Sequence, residues 1–260
     1  MHHKLFPALV TAILLTACTT SPTGRSQFIM MPDSQVNQMG LQAFDTLKSD
    51  KKISYNTQYN QATSCISNAL TQIVGGAWEV VVFEDKSPNA FALPGNKIGV
   101  HTGMLQLVDN QEQLAAVIGH EIGHVMAKHS NERASQEMAM SQGLNVLQAM
   151  TMPTSALGQL GFGLLGVGAE YGVLKPYGRT QESEADIIGV DLMAKAGFDP
   201  RHSVGLWQKM GQATQGKQPV EFMSTHPSHA TRIQDLEQHM PQAMALFQQA
   251  QSAGKQPRCI

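Results

Sequence analysis

The chain has 260 residues, 42% apolar and 15% charged, enough for one real hydrophobic core or two small ones. A formal net charge of −2 and a pI near 6.5 leave no basic footprint for nucleic acid. Glycine and proline are frequent but not periodic, and no solenoid or propeller period appears, which sets aside collagen-like, disordered and repeat architectures.

Residues 1–17 differ from the rest. Lys4 and the start methionine make a short basic end, and the apolar run 5–15 has the length of a signal-peptide core, too short for a stable membrane-spanning anchor. It closes in Leu15-Thr16-Ala17-Cys18, which resembles a bacterial lipobox, where cleavage leaves Cys18 as an acylated N-terminus. A signal peptide with an incidental cysteine is the plainer alternative. Two or three acyl chains on one residue anchor stably where a single chain is marginal. Thr19 rather than Asp after the cysteine points, by likeness to lipoprotein sorting, to the outer membrane. Cys65 and Cys259 then remain in an oxidising compartment, as one disulfide or as two unpaired thiols.

Residues 18–32 read as a tether to a domain spanning 33–260. Asp33 is a candidate N-cap for a helix over 34–48, with Val36, Met39, Leu41, Phe44 and Leu47 on roughly one side. A second helix over 54–73 stops at Gly75-Gly76. Three strand-like runs follow, 78–84, 89–93 and 97–101. The middle run is short and stops at Pro94-Gly95, as an edge strand beside a turn would. The longest helical pattern, 111–140, is capped by Asp109 or Asn110 and gathers Leu114, Val117, Ile118, Ile122, Val125 and Met126 on one side. Residues 138–169 contain no Asp, Glu, Lys or Arg and are broken by Pro153 and several glycines. A buried helical hairpin or active-site cover is expected there, with a membrane-touching or substrate-gating loop as the alternative. Further helices are expected over 181–196, ending at Gly197, over 200–214, and from a Ser228 cap through Arg232, Ile233 and Leu236.

His120 and His124 are four apart on the long helix, hence on one face, where two imidazoles can chelate a single zinc ion. Glu121 points to the neighbouring sector and can reach a water beside the metal without occupying a coordination position. Two ligands and a general base make the HExxH arrangement, expected by chance roughly 0.02 times in a chain with this many His and Glu. Gly123 is expected to leave space beside the metal. A catalytic zinc needs a third protein ligand and an open position. Glu182, at the start of a later helix, is the candidate. Asp186, cofacial with it, is placed to accept a hydrogen bond from the far ring nitrogen of His120. Glu184 is expected to be solvated or a distal salt-bridge partner. Alone, the run 182–186 would read as an acidic helix start favoured by the macrodipole.

His120-Glu121-Ile122-Gly123-His124, followed by Glu182-Ser183-Glu184-Ala185-Asp186 and Ser224-Thr225-His226-Pro227, resembles the gluzincin zinc metallopeptidases of the HtpX/Oma/CAAX-prenyl-protease-like family, in particular their bacterial periplasmic lipoprotein branch. Asn89-Ala90-Phe91-Ala92 before Pro94-Gly95 and the early Thr23-Gly24-Arg25-Ser26-Gln27 match as well, so the resemblance covers 23–236. It implies an α+β, zincin-like (minimal gluzincin) fold, mostly helical, with a small three-stranded sheet whose edge strand faces the active-site cleft. It further implies one Zn2+ per chain on His120, His124 and Glu182, with Glu121 as base. Asn89, Ala90, Phe91 and Ala92 would form the edge strand that pairs with an extended substrate. His226 would stabilise the oxyanion or close the fourth zinc position in a latent state, a structural hydrogen bond being the plainer role. Arg232 would ion-pair near Asp186. His101, His129, His202, His229 and His239 have no recruiting spacing, and surface or core roles are expected for each.

The implied function is a zinc endopeptidase of the bacterial envelope, periplasmic and lipid-anchored at the inner face of the outer membrane. It would cleave misfolded or unassembled envelope proteins, with the envelope assembly machinery as a partner. The alternative is an envelope chaperone or assembly factor on the same scaffold, its proteolysis latent. A carboxylate-bridged di-iron protein would need two Glu-x-x-His pairs, and only Glu121 and His124 form one. A Ser or Cys protease fits worse, for no Gly-x-Ser-x-Gly elbow appears and neither Cys65 nor Cys259 has a local activating context.

Overall fold

The computed structural model describes residues 18–151, 177–213, 221–227 and 231–260. The expected signal peptide over 1–17, most of the charge-free segment, the Ser228 cap and His229 lie outside the described residues.

The stretch read as a tether begins with an antiparallel hairpin, β1 (Cys18–Thr20) and β2 (Ser26–Phe28), whose turn is closed by the Ser21 amide on the Arg25 carbonyl at 2.8 Å. Helix α1 (Asp33–Asp50) follows, with Pro32 rather than Asp33 in the N-cap position. Asp33 instead pairs with Lys128 and accepts from Asn131. The buried face of α1 is Val36, Gly40, Ala43 and Phe44, while Met39 and Leu41, expected on that face, are exposed. Helix α2 (Thr57–Val74) starts later than expected, at Asn56, whose Oδ1 accepts the Tyr59 amide at 3.0 Å. The residues before it are drawn toward the sheet: Ile53 bridges to Phe83, and the Ser54 amide bonds the Val82 carbonyl.

The three strand-like runs form one sheet of β3 (Glu79–Phe83), β4 (Ala90–Leu93) and β5 (Lys97–His101) in the order β3-β5-β4. β3 runs parallel to β5, and β4 runs antiparallel to it from Ala90 opposite Val100 to Leu93 opposite Lys97. β4 is therefore an edge strand, as the Pro94-Gly95 turn indicated. A short helix α3 (Thr102–Leu107) leads to the centre of the molecule.

The single helix expected over 111–140 is two, α4 (Gln111–Met126) and α5 (His129–Thr151). Asn110 caps α4 by accepting the Gln113 amide. Between the helices Lys128 adopts a left-handed backbone conformation with φ 53°, rare outside glycine and asparagine. Nothing in the apolar periodicity announces this break. The remaining elements are α6 (Arg179–Ala196), closed by left-handed Gly197, then α7 (His202–Ala213), α8 (Glu221–Thr225) and α9 (Thr231–Ser252).

Helix α4 is buried on nearly every side, against α6, α2, α7 and β4. Leu114, Val117, Ile118 and Ile122 join Ile66, Leu70, Val190, Met193 and Trp207 in the main core, and a smaller cluster of Ala43, Phe44, Phe83 and Leu93 lies under α1. The α4 and α6 backbones touch. A Cβ on Gly123 would meet the Ala185 carbonyl oxygen at 2.8 Å, and one on Gly189 would meet the His120 amide nitrogen at 2.7 Å. Gly123 thus serves the helix contact, not the space beside a metal that the sequence suggested. Cys65 and Cys259 form a disulfide across 194 residues, tying the C-terminal tail to α2. Among the described residues no helix is long and apolar enough to cross a membrane.

Candidate metal centre

The helical period places His120 and His124 on the face of α4 that meets the first turn of α6, where Glu182 sits. His120 Nε2 lies 3.0 Å from His124 Nε2 and 3.5 Å from Glu182 Oε2, and His124 Nε2 lies 3.4 Å from Glu182 Oε1. His226, just after α8, brings its Nδ1 to 3.2 Å from His120 Nε2 and 3.1 Å from Glu182 Oε1. Its ring stacks on Phe222 at 4.3 Å between centroids, which fixes that approach. The ligand atoms of all four residues lie within 4.8 Å of one another, and all four residues are buried.

These residues fit a zinc ion. Tetrahedral bonds of about 2.0–2.1 Å put neighbouring ligand atoms about 3.3 Å apart, close to the 3.0–3.5 Å observed. Glu121 Oε1 and Glu182 Oε2 are buried without a hydrogen-bond partner. His226 Nε2 stands 3.3 Å from the former and Arg232 Nη1 2.9 Å from the latter, close as charges but not aligned as hydrogen bonds. Glu121, Glu182 and Asp186 outnumber Arg232, the cation buried among them, so with the carboxylates ionised and the histidines neutral, as ligation requires, the pocket has a formal charge a dication balances.

Behind the cluster His120 and His124 are each held from the far nitrogen. Asp186 Oδ1 accepts from His120 Nδ1 at 2.9 Å, and Arg232 forks onto Asp186 through Nε and Nη2 at 2.6 and 2.7 Å while lying over the Trp207 ring. Burial pushes the His120 imidazole down, but the bonds and charges of Asp186 and Glu182 more than offset it and hold its pKa at about 9. His124, with less compensation, is pushed by burial well below the usual histidine value. Burial also raises Glu121. It opposes the ionised form of Glu182 too, yet the three histidines around it, His226 foremost, keep that carboxyl far below the ordinary range.

Glu121 Oε2 accepts the Ala92 amide at 3.2 Å, so the outward N–H of edge strand β4 points at the carboxylate. Asn89, Ala90, Phe91 and Ala92 line one wall of a narrow cleft, with Tyr177, Thr225 and His226 opposite. Tyr177 stacks on His124 at 3.8 Å and is held by its amide on the Thr225 carbonyl.

Of its two expected roles Glu184 takes the second: it is buried, not solvated, and is a salt-bridge partner of the distant Arg25. His129, given no role by spacing, contacts His124 directly, Nδ1 to Nδ1 at 2.9 Å. On a continuous helix five residues would have carried it about 140° away from His124, and only the turn at Lys128 brings it back. The one sequence signal for this layer was the early Thr23-Gly24-Arg25-Ser26-Gln27, whose role the sequence did not state. His101, His202 and His239 lie elsewhere, bonded to Ser87, Asn110 and Asp191.

The sequence model of peptidase family M48 matches residues 59–240. The chain is 38% identical over 192 residues to the mitochondrial metalloendopeptidase OMA1 of Schizosaccharomyces pombe, covering 71% of this chain and 55% of that protein. It is 29% identical over 247 residues to the metalloprotease LoiP of Escherichia coli, covering 91% of this chain and 96% of that one. A third relative, the beta-barrel assembly-enhancing protease of Yersinia pestis, is 32% identical over 152 residues, 56% of this chain and 31% of its own length. The chain thus spans about half the length of the OMA1 proteins of Schizosaccharomyces pombe and Bos taurus that it matches. With the family match running from α2 into α9 and enclosing the whole histidine and glutamate cluster, the chain belongs to peptidase family M48.

Proposed function

We propose that this chain is a zinc-dependent endopeptidase of the bacterial cell envelope, with His120, His124 and Glu182 holding one ion and Glu121 acting as general base. Glu121 carries the reading. One of its oxygens is buried and unpartnered beside the cluster, and the other rests on the outward amide of the edge strand. When bound, zinc would supply a Lewis acid for the scissile carbonyl and acidify a nearby water. Glu121, its pKa raised by burial, takes a proton from that water and returns it to the leaving amine. An extended polypeptide adding to the free edge of β4 brings its backbone to Glu121. His226, with Nε2 3.3 Å from Glu121, stands where it can donate to the developing oxyanion, and its Nδ1 stands where it can ligate the ion in a resting state. The name of one bacterial relative, the beta-barrel assembly-enhancing protease of Yersinia pestis, supports misfolded or unassembled envelope proteins as substrates and the envelope assembly machinery as a partner. The lipobox-like Cys18 supports a lipid tether to the inner face of the outer membrane.

The test is metal content together with casein cleavage for wild type, Glu121→Gln and His226→Ala. Glu121→Gln is expected to keep zinc and lose cleavage by about 10²–10⁴-fold. Retained cleavage in that variant at full zinc content sinks the assignment of the base. No cleavage by wild type or by His226→Ala, both fully loaded, favours a binding module instead.

A further inference from the structure

The far side of His120 is satisfied inside the peptidase body, by Asp186 of α6 and Arg232 of α9. The far side of His124 is held by a chain of groups that starts in the body, at His129 of α5 and Glu184 of α6, and runs out to the β1–β2 hairpin. His124 Nδ1 meets His129 Nδ1 at 2.9 Å, and His129 Nε2 meets Glu184 Oε2 at 3.1 Å. Glu184 accepts from Arg25 Nε at 2.7 Å and from Thr23 Oγ1 at 2.5 Å, and Arg25 forks onto both oxygens of Glu132 at 2.7 Å each. Gln27 and Gln181 complete the Glu132 carboxylate.

One arrangement of protons satisfies this chain. With Nε2 of His124 turned to the cluster centre, its Nδ1 carries the proton and donates, so His129 Nδ1 accepts. His129 Nε2 then carries a proton and donates to Glu184, which this bond and those from Ser21, Thr23 and Arg25 keep ionised. His129, Glu184 and Glu132 are all buried. A hydrophobic contact would hold a hairpin to the body at least as well as buried charges do, since desolvation consumes most of an ion pair's gain. Charged groups at this place are accounted for by orientation. The break at Lys128 serves the same end, because it is what returns His129 to His124.

We infer that the turn of the β1–β2 hairpin is part of the metal centre: Arg25, Glu184 and His129 are positioning residues that fix the tautomer and orientation of His124 and so set metal affinity. The inference rests on the reading of His124 as a ligand. It joins the segment that begins at Cys18 to the geometry of the active site.

The test measures zinc affinity of the full chain by chelator competition, together with the melting temperature of the metal-free protein. His129→Leu and Glu184→Gln are each expected to weaken zinc binding by about 10–100-fold, the usual loss when a group orienting a metal-bound histidine is removed. His129→Asn, whose Oδ1 can still accept from His124 Nδ1, is expected to recover most of that loss. Arg25→Met, farther from the ion, is expected to give a smaller loss in the same direction, and supplies the measurement even if His129→Leu does not fold. Wild-type affinity in His129→Leu, or equal losses with Leu and Asn, overturns the orienting role, the second by assigning the effect to packing. Unchanged affinity in Arg25→Met removes the hairpin from the centre. Failure of wild type itself to bind zinc defeats the functional reading and this inference with it, whereas binding by wild type with unit ratios among the variants defeats the inference alone.

Discussion

Gly123→Ala tests whether contact between two backbones holds the metal-facing residues together. The added Cβ would lie 2.8 Å from the Ala185 carbonyl oxygen and 3.2 Å from its Cα, both backbone atoms that cannot swing aside. Ordinary contact begins near 3.4 Å, so α4 and α6 must part by about 0.6 Å at this point. Overpacking of this kind costs about 1–3 kcal/mol, which for a domain of this size lowers Tm by about 4–8 °C at the middle of that range. Glu182 lies one turn from Ala185 on α6, and His120 and His124 flank Gly123 on α4, so the same opening spreads the ligand atoms and weakens zinc binding. Calorimetry of the metal-free protein and chelator competition read the two effects separately. Gly205→Ala is the control. It sits in α7 with nothing within 4 Å of an added Cβ, and there alanine is expected to stabilise by about 0.5–1 kcal/mol. If Gly123→Ala matched that control, or left both Tm and affinity at wild-type values, the close approach of the helices would not be what positions the site.

Arg232→Met is expected to cost about 3–5 kcal/mol, because it strands the buried Asp186. Asp186→Leu/Arg232→Met is expected to regain most of the metal-free stability by denaturant unfolding, yet still bind zinc about 10–100-fold more weakly. The Cys65→Ser/Cys259→Ser variant is expected to lose about 2–5 kcal/mol in the same assay, since it releases a 194-residue loop. Acid titration probes the hairpin: burial opposes ionisation of both carboxyls, but bonds from His129, Ser21, Thr23 and Arg25 hold Glu184, and bonds from Arg25, Gln181 and Gln27 hold Glu132, below the ordinary carboxylate range. A depressed carboxyl contributes stability above its unfolded value, about 4.3, and that contribution is lost as pH falls through the folded value. The stability gap between wild type and Glu184→Gln is therefore expected to be full at pH 6 and to shrink below about pH 4. A gap that widens on acidification would contradict the assignment.

The metal-facing residues were legible because their geometry is local. His120 and His124, and likewise Glu182 and Asp186, are each four apart on a helix, and spacing alone puts such pairs on one face. The edge strand was legible for a similar reason, since Pro94-Gly95 ends it. What the sequence hid depends on chain segments far apart. No glycine or proline stands at Lys128, yet the helix ends there, with Lys128 left-handed and paired with Asp33 and His129 turned to His124. Glu184 looks solvated until a hairpin 159 residues away covers it. Gly123 beside a ligand suggests room for a metal, and only the position of α6 shows that the room belongs to another backbone.

The bond between the Ala92 amide and the Glu121 carboxylate bears on what the proposed endopeptidase would choose among. On the proposed reading a peptide laid along β4 would need that amide for its own carbonyl, so docking and release of the base would be one event. The exchange asks nothing of side chains. It asks for a stretch of backbone whose carbonyls are unclaimed, which a folded protein, its main chain already paired, rarely offers. Discrimination would then fall between folded and unfolded chains more than between one sequence and another.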